Sequence, residues 1–140
     1  MMSLAEKIIT YKRNKIEDHR GWFLKVITGK ESNLPMHTGE IYITLANPGE
    51  MKGGHYHPIA NEWFTLIKGT CLLKLEDIET KECLEIKLDS QEPVTIYVPC
   101  GIAHGFFNTS VEQDFILIAY SDELFDPADT VPFDFINITN

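Results

Sequence analysis

Apolar and polar residues alternate along most of the chain, in short segments rich in β-branched and aromatic side chains. The seven clearest segments are residues 22–27, 40–46, 63–67, 71–76, 83–88, 94–98 and 115–120. Gly, Pro, Asn and Asp residues between these segments mark turns. Only residues 1–12 and 121–125 have the pattern of short helices. Strands of this number and spacing predict an all-β sandwich or barrel.

The length of the chain sets the number of domains. A chain of 140 residues with 44% hydrophobic residues fits one domain with one core, and no linker or repeat divides it. We therefore predict a single domain over residues 1–140. No apolar run approaches the roughly 20 residues that span a bilayer, and the first residues lack a long apolar signal segment. We expect a cytoplasmic location and no membrane partner.

The charge balance limits the possible partners. The net charge is −9, with 21 acidic residues against 12 basic ones. A nucleic-acid partner is not expected, because phosphate binding needs a basic patch. One or two arginines or lysines would still suffice for a small anionic ligand. The three cysteines include no C-x-x-C pair, so we expect buried free thiols and neither a disulfide framework nor a zinc knuckle.

Three histidines and one glutamate lie in two segments that could line one cavity. His55 and His57 are two residues apart, so on a strand their side chains point to the same face. With Glu62 and His104 they would form a ligand set suited to a divalent first-row metal. Zinc is the first expectation, and iron, manganese or nickel would also suit these ligands. The alternative is that hydrogen bonds in the core satisfy all four side chains.

The spacing around these residues resembles the two signature motifs of the cupin family. Residues 49–69 read G-x5-H-x-H-x4-E-x6-G, and residues 99–108 read P-x-G-x2-H-x3-N. The resemblance implies a cupin double-stranded β-helix, which is a jelly-roll barrel. Some cupins keep these histidines without a metal and use one of them as a base. The resemblance therefore implies either role for His55 and His57.

A segment near the N-terminus is similar to an element of cupins that act on sugar nucleotides. Residues 18–23 read D-H-R-G-W-F. They resemble the D-x-R-G-x-F element of dTDP-4-dehydrorhamnose 3,5-epimerases, dTDP-sugar 3,4-ketoisomerases and the cupin domain of capsular polysaccharide epimerase/reductases. In such proteins the arginine helps to hold the nucleotide diphosphate, which implies that role for Arg20. Taken alone, the segment would be a turn with a solvated arginine.

The capsular polysaccharide domain is the most similar of these three groups. The shared stretches are K-G-G-H-Y-H at residues 52–57, N-E at 61–62 and E-L-F-D-P at 123–127. The resemblance implies a zinc ion in the histidine cluster and C3 epimerisation of a UDP-4-keto-6-deoxy sugar. The 3,5-epimerases have H-Y-Q in the first motif, and their catalytic tyrosine falls near Leu117, so a rhamnose-type activity is not favoured.

These features together predict a sugar epimerase or isomerase in cell-surface polysaccharide biosynthesis, acting on a nucleotide-linked 4-keto-6-deoxy sugar. A motif histidine, His55 or His57, would remove the proton beside the ketone. If all three histidines bind metal, Tyr120, Tyr56 or a metal-bound water would supply the base. The residues expected to contact the substrate are Arg20, Lys52, Asn61, Phe64 and Phe106.

Two other functions fit the same residues. Three histidines and a glutamate also suit iron and O₂ chemistry, so a metal-dependent cupin oxygenase is the main alternative. A non-catalytic cupin that binds a sugar or another effector is the second. Trp63 follows Glu62 directly and is expected to point to the opposite face, away from either kind of site.

The two ends of the chain predict an oligomer. Residues 1–15 form an N-terminal arm that could cross to a neighbouring subunit and protect an edge strand. Residues 121–140 are too apolar for a disordered tail, so they should pack on the barrel or on a partner. We therefore expect a homodimer.

Overall fold

The computed structural model describes residues 1–37 and 39–135, and nearly all of their regular structure is β-strand. The helical elements in these residues are α1 (Leu4–Lys7) and a 3-10 turn at Pro127–Asp129. The strands, in chain order, are β1 (Ile9–Lys12), β2 (Ile16–Asp18), β3 (Gly21–Phe23), β4 (Glu40–Ala46), β5 (Met51–Tyr56), β6 (Glu62–Lys68), β7 (Thr70–Asp77), β8 (Cys83–Asp89), β9 (Val94–Val98), β10 (Ile102–Phe107), β11 (Phe115–Ser121) and β12 (Val131–Pro132).

Most of these strands form two antiparallel sheets of five strands each. The first sheet has the order β1-β9-β6-β11-β4, and the second has the order β12-β5-β10-β7-β8. Strands β2 and β3 form a separate hairpin. Most neighbours in the sheets are far apart along the chain, as in a jelly roll. The all-β prediction is confirmed. No helix among the described residues is long and apolar enough to cross a membrane.

The core lies between the two sheets and is built from alternate residues of the central strands. Phe64 and Leu66 on β6, and Leu73 and Leu75 on β7, are at most 3% exposed and belong to one apolar cluster. Successive side chains on a strand point to opposite faces, which is why the members of this cluster are two residues apart on each strand. Burial of each such side chain stabilises the fold by about 2 kcal/mol.

The predicted strand over residues 22–27 is wrong beyond Phe23, where β3 ends. The following residues form a loop that is held by polar contacts instead of a sheet ladder. Arg13 donates to the backbone carbonyl of Val26 and forms an ion pair with the buried carboxylate of Glu31. These contacts satisfy the loop without a partner strand, so the β-forming composition of the segment does not decide its structure.

The short helix predicted at residues 121–125 is also wrong. A 3-10 turn forms slightly later, at Pro127–Asp129. Its position follows from local chemistry, because the Asp126 side chain accepts a hydrogen bond from the Ala128 amide and proline occupies the first helical position. The turn brings the end of the chain to the edge of the second sheet.

The Glu31 ion pair leads to a stability prediction. Burial opposes ionisation of Glu31, but hydrogen bonds from Thr28 and Arg13 lower its pKa from 4.5 to about 2. A lowered folded-state pKa stabilises the protein above pH 4.5, and this contribution is lost as pH falls toward about 2. Replacing Glu31 by glutamine should cost about 3 kcal/mol at pH 7, because Arg13 keeps a buried charge without its partner.

Urea unfolding at pH 7 and pH 3 measures this effect. The difference in unfolding free energy between the natural protein and Glu31→Gln should shrink at the lower pH. An equal difference at both pH values would contradict the assigned role of the carboxylate.

Both ends of the described chain lie on the barrel. Strand β1 pairs with β9 of the same chain, so exchange of the N-terminal arm stays a prediction. At the other end β12 pairs with β5, and Phe135 packs over Gly105 and against Phe107. Residues 136–140 of the predicted tail lie outside the described residues.

The expectation of buried thiols holds for Cys71 alone and is wrong for Cys83 and Cys100, which are exposed. Cys83 begins an edge strand and points outwards, where its thiol donates to Glu76. Cys100 lies in the turn before β10. All three are free cysteines.

Candidate active site

The four residues of the predicted ligand set converge at one end of the barrel. His55 is on β5 and His57 follows this strand, His104 is on β10, and Glu62 is the first residue of β6 in the other sheet. His55 and His104 are direct partners across the β5–β10 ladder. One ligand atom from each of the four residues lies within 4.8 Å of the others. We call these four residues the histidine–glutamate cluster.

A glycine beside the cluster lets β5 and β10 approach each other. Gly53 has φ +83°, in the left-handed region that other residues rarely adopt. A Cβ atom at this position would lie 2.8 Å from the backbone oxygen of His104. The register of the ladder shifts between His104 and Gly105, as in a β-bulge. The second glycine of the K-G-G-H-Y-H stretch, Gly54, also has positive φ, at +77°.

The two oxygens of the Glu62 carboxylate have different neighbours. Oε1 lies 3.0 Å from Nε2 of His57 and 3.4 Å from Nε2 of His104. Oε2 accepts a hydrogen bond of 3.0 Å from the Tyr42 hydroxyl. Glu62 and His104 are 3% and 2% exposed, so water has little access to these atoms.

Backbone carbonyls determine which ring nitrogens carry the protons. Nδ1 of His57 lies 2.8 Å from the carbonyl of Asp129, and Nδ1 of His104 lies 3.1 Å from the carbonyl of Ile102. A carbonyl only accepts, so both Nδ1 atoms are donors, and each neutral ring presents the lone pair of Nε2 to Glu62. Lone pairs on nitrogen and carboxylate oxygen repel unless a proton or a cation lies between them.

Two buried polar atoms of the cluster have no hydrogen-bond partner among the described residues. Oε1 of Glu62 and Nε2 of His104 make no hydrogen bond of acceptable geometry to any described residue. Buried acceptors without partners are costly, and functional sites are the common reason for them. The donor set of three imidazoles and one carboxylate therefore fits a divalent metal such as zinc.

The pKa values of the cluster move in different directions. Burial, together with the charges of His104 and His57, lowers the pKa of His55 to about 4. Burial also disfavours the charged form of His57, but contact with Glu62 raises its pKa above the ordinary value. Despite burial, His104 and His57 hold the pKa of Glu62 well below its usual range. These shifts favour an ionised Glu62 and a neutral His55, which are the protonation states that metal ligands need, whereas a metal would have to displace the proton that the raised pKa of His57 favours.

A cavity of about 360 Å³ opens beside the cluster. It is lined by barrel residues and by the tail; these are Glu40, Tyr42, His55, His57, Ala60, Glu62, Ser121, Leu124, Phe125, Asp126, Asp129 and Thr130. Four of these side chains are carboxylic acids, and neither lysine nor arginine occurs among these described lining residues. The cavity has room for a monosaccharide but gives no counter-charge to a phosphate.

A second cavity of about 240 Å³ lies on the other side of Tyr42 and His55, which line both spaces. Three of the predicted substrate contacts, Lys52, Phe64 and Phe106, line this second cavity. The two phenylalanines are 2% and 1% exposed, and their rings pack together with centroids 4.8 Å apart. They form the inner wall of the site, whereas Lys52 is partly exposed.

Asn61 is next to Glu62 in the sequence, but its side chain bonds to other parts of the protein and does not face either cavity. Its amide donates to Asp122, and its oxygen accepts from the backbone of Cys100. It lines neither of the two cavities. These contacts join the start of β6 to the turn before β10, which indicates a supporting role.

The structure corrects the predictions that made Tyr120 and Tyr56 alternative bases. Tyr120 is the cross-strand partner of Trp63 and stacks on it with ring centroids 5.3 Å apart, on the sheet face opposite Glu62. This position also confirms that Trp63 points away from the cluster. Tyr56 lies between His55 and His57, so alternation turns its side chain away from theirs.

Arg20 does not reach either cavity of its own chain. It lies in the β2–β3 hairpin, where it pairs with Asp18 and its side chain is 78% exposed. Trp22 of the same hairpin lines a groove with Gly69, at the end of β6 that is remote from Glu62. Seven residues of strand separate these two ends, or roughly 23 Å. Arg20 therefore lines neither cavity of its own chain, and its contact with a nucleotide diphosphate stays a prediction.

Two residues support the cluster through contacts that the sequence did not predict. Tyr42 reaches Glu62 from β4 across the intervening strand β11, and Asp129 reaches the cluster from the tail. The Asp129 carboxylate accepts from the amides of Ile59 and Ala60, while its carbonyl accepts from His57. Both contacts depend on the register of segments that are distant in the sequence. The hydroxyl of Tyr42 within a mostly apolar strand is the one sequence feature that could have indicated a polar contact there.

Comparison with known proteins decides the family. A family model described as the polysaccharide biosynthesis C-terminal domain matches residues 16–132. The chain belongs to this family. The polysaccharide biosynthesis C-terminal domain match includes the hairpin with Arg20, the whole histidine–glutamate cluster and the tail turn.

One curated relative is UDP-2-acetamido-2,6-beta-L-arabino-hexul-4-ose reductase of Pseudomonas aeruginosa, which is 28% identical over 88% of this chain. The chain covers only 31% of the length of that reductase. A solved structure of the capsular polysaccharide assembling protein CapF from Staphylococcus aureus is 25% identical, with a TM-score of 0.64 over 89% of this chain and 33% of CapF.

The structure of a double mutant of ChmJ, a 3′-monoepimerase from Streptomyces bikiniensis, in complex with dTDP has a TM-score of 0.84 over 99% of this chain and 75% of that chain. At 16% identity this likeness shows the fold alone. The predicted resemblance to sugar-nucleotide cupins, and the predicted jelly roll, are confirmed for this polysaccharide biosynthesis C-terminal domain.

Proposed function

We propose that this domain is an epimerase or isomerase acting on a nucleotide-linked 4-keto sugar in polysaccharide biosynthesis. The observation that carries the proposal is the convergence of His55, His57, Glu62 and His104 at a sugar-sized cavity. The family description and the names of the relatives support the substrate class. A cytoplasmic location belongs to the same proposal, because exposed free thiols such as Cys83 suit a reducing compartment.

Breaking a C–H bond beside a ketone requires a base and stabilisation of the enolate oxygen that forms. The histidine–glutamate cluster would hold a divalent metal, and such a metal polarises a carbonyl oxygen and stabilises an enolate. The protein itself supplies the fixed geometry. Carbonyls orient His57 and His104, and the buried walls of Phe64 and Phe106 exclude water.

With the histidines engaged as ligands, the base would be a metal-bound water or another group that lines the cavity. Four carboxylates of the described residues line the cavity. Glu62 belongs to the cluster and Asp129 bonds to backbone amides, so Glu40 and Asp126 remain. We assign the proton transfer to one of these two groups, since a carboxylate facing a ligand cavity can accept a proton at neutral pH. This assignment replaces the tyrosines that the sequence suggested.

Solvent deuterium incorporation tests the proposed reaction. A panel of UDP- and dTDP-linked 4-keto-6-deoxy sugars is incubated with the protein in D₂O and followed by NMR, with protein-free samples as controls. We expect deuterium at a carbon next to the ketone in at least one sugar. Binding of a sugar nucleotide without exchange would favour a non-catalytic cupin, and O₂ consumption with bound iron would favour an oxygenase.

We also propose that the functional unit is a homodimer in which Arg20 serves the neighbouring subunit. The outer face of β4 exposes Ile41, Ile43 and Leu45 at 62%, 65% and 42%, an apolar row on an edge strand. The cavity beside the cluster lacks a basic residue, and Arg20 of the same chain cannot reach it. A second copy against this face would cover the row and supply the missing positive charge.

Mixing two inactive variants tests this arrangement. Arg20→Ala keeps an intact cluster, and His55→Ala keeps an intact Arg20. Co-refolding equal amounts should restore about a quarter of the natural exchange rate, because random pairing gives one complete site in each hybrid dimer. No recovery above the separate variants, or a monomer by sedimentation at micromolar concentration, would contradict the proposal.

A further inference from the structure

Tyr42 occupies a special position beside the histidine–glutamate cluster. It lies on β4, the edge strand of the first sheet, and its ring forms part of the wall of both cavities. Its hydroxyl donates to Oε2 of Glu62 at 3.0 Å. The residue is 37% exposed, so it stands between the buried carboxylate and the open cavity.

The hydrogen bond makes the two oxygens of Glu62 inequivalent. Oε2 is engaged by the tyrosine, while Oε1 points at the Nε2 atoms of His57 and His104. Oε1 is also the oxygen that lacks a hydrogen bond to the described residues. A carboxylate can bind a cation through one oxygen or through both, and its rotation decides between the two modes.

We propose that Tyr42 is a positioning residue that keeps Glu62 a one-oxygen ligand. This inference rests on the metal-binding part of the proposed function. With Oε2 held by the hydroxyl, Glu62 offers Oε1 alone, and the three imidazoles supply the other protein ligands. If these four residues hold a divalent metal, binding through one oxygen of Glu62 would leave the cavity side to an oxygen of the substrate. Without the hydroxyl, both carboxylate oxygens would be free to bind the metal.

The chemistry of second-sphere groups supports this role. Hydrogen-bond partners of metal ligands orient them, and their loss typically lowers metal affinity by about 10- to 100-fold. His57 and His104 already receive such support from the carbonyls of Asp129 and Ile102. Tyr42 gives the same kind of support to Glu62, from a strand of the sheet that also contains Glu62.

The test compares Tyr42→Phe with Tyr11→Phe. On the exposed surface the Tyr11 hydroxyl bonds to the Ser32 hydroxyl and accepts from the Ser32 amide, so this control loses two tyrosine hydrogen bonds that do not involve the cluster. Protein stripped of metal with a chelator is titrated with Co²⁺ against a chromophoric competitor, and the visible absorption of bound Co²⁺ is recorded. Thermal unfolding of both variants verifies that they are folded.

We expect Tyr42→Phe to bind Co²⁺ about 10- to 100-fold more weakly than the natural protein and the control. Its visible band should also weaken, because cobalt with more ligands absorbs less strongly. The same affinity and the same spectrum in Tyr42→Phe and the natural protein would overturn the inference. Failure of the natural protein to bind Co²⁺ would overturn it as well, whereas deuterium exchange measures the proposed sugar chemistry independently.

Discussion

Replacing Glu62 by glutamine is expected to lower the affinity for a divalent metal by more than about 100-fold, beyond the usual effect of second-sphere changes. The substitution removes the one ionised carboxylate of the cluster, and the glutamine side chain has nearly the same size as the glutamate side chain. The amide would also turn either an oxygen or an NH₂ group toward the Nε2 atoms of His57 and His104, which lie 3.0 and 3.4 Å from Oε1. Neither arrangement supplies the negative charge that neutralises a dication.

Metal content after dialysis and chelator competition measure this effect. Glu40→Gln is the matched control, because Glu40 lines the same cavity but is not one of the four clustered ligands. The control should keep the natural affinity. If Glu62→Gln retains metal as well as Glu40→Gln does, the cluster is not the metal site.

Replacing Gly53 by alanine is expected to destabilise the protein by about 3 kcal/mol and to weaken metal binding at least about tenfold. Its φ of +83° is costly for alanine, and the added Cβ would lie 2.8 Å from the backbone oxygen of His104. The strands β5 and β10 would have to separate, which would move His55 relative to its cross-strand partner.

Gly49→Ala separates the effect of backbone strain from the effect of the close contact with His104. Gly49 has φ +79° but no atom within 4 Å of the position of an added Cβ, so its substitution causes backbone strain alone. Urea unfolding and Co²⁺ titration of both variants should show the larger losses for Gly53→Ala. Equal losses in the two variants would mean that close approach at Gly53 does not shape the cluster.

The sequence allowed the central cluster to be predicted because its residues lie in two local motifs. The H-x-H spacing places His55 and His57 on one face of a strand, and alternation also placed Trp63 on the opposite face from Glu62. The placement of His55, His57 and Trp63 needs only the period of a β-strand, and so does the prediction of an all-β fold. The convergence of Glu62 and His104 with the other two histidines was implied by the resemblance to the cupin motifs.

The remaining features depend on contacts between distant segments. Tyr120 was predicted as a base from its position in the sequence, but the β6–β11 register pairs it with Trp63 on the outer face. Tyr42 reaches Glu62 only because β11 lies between their two strands. The location of Arg20, far from the cavity of its own chain, follows from a hairpin that stands outside both sheets. Local periodicity carries no information on such pairings.

The central claim is that the histidine–glutamate cluster is the metal centre at which a C–H bond next to a ketone is broken. The most direct test measures deuterium incorporation into a 4-keto-6-deoxy sugar nucleotide before and after the metal is removed and restored. We predict that removal slows exchange at least about 100-fold and that the rate returns in proportion to metal bound. Full exchange by the stripped protein in the presence of a chelator would contradict this account and would identify a histidine as the base.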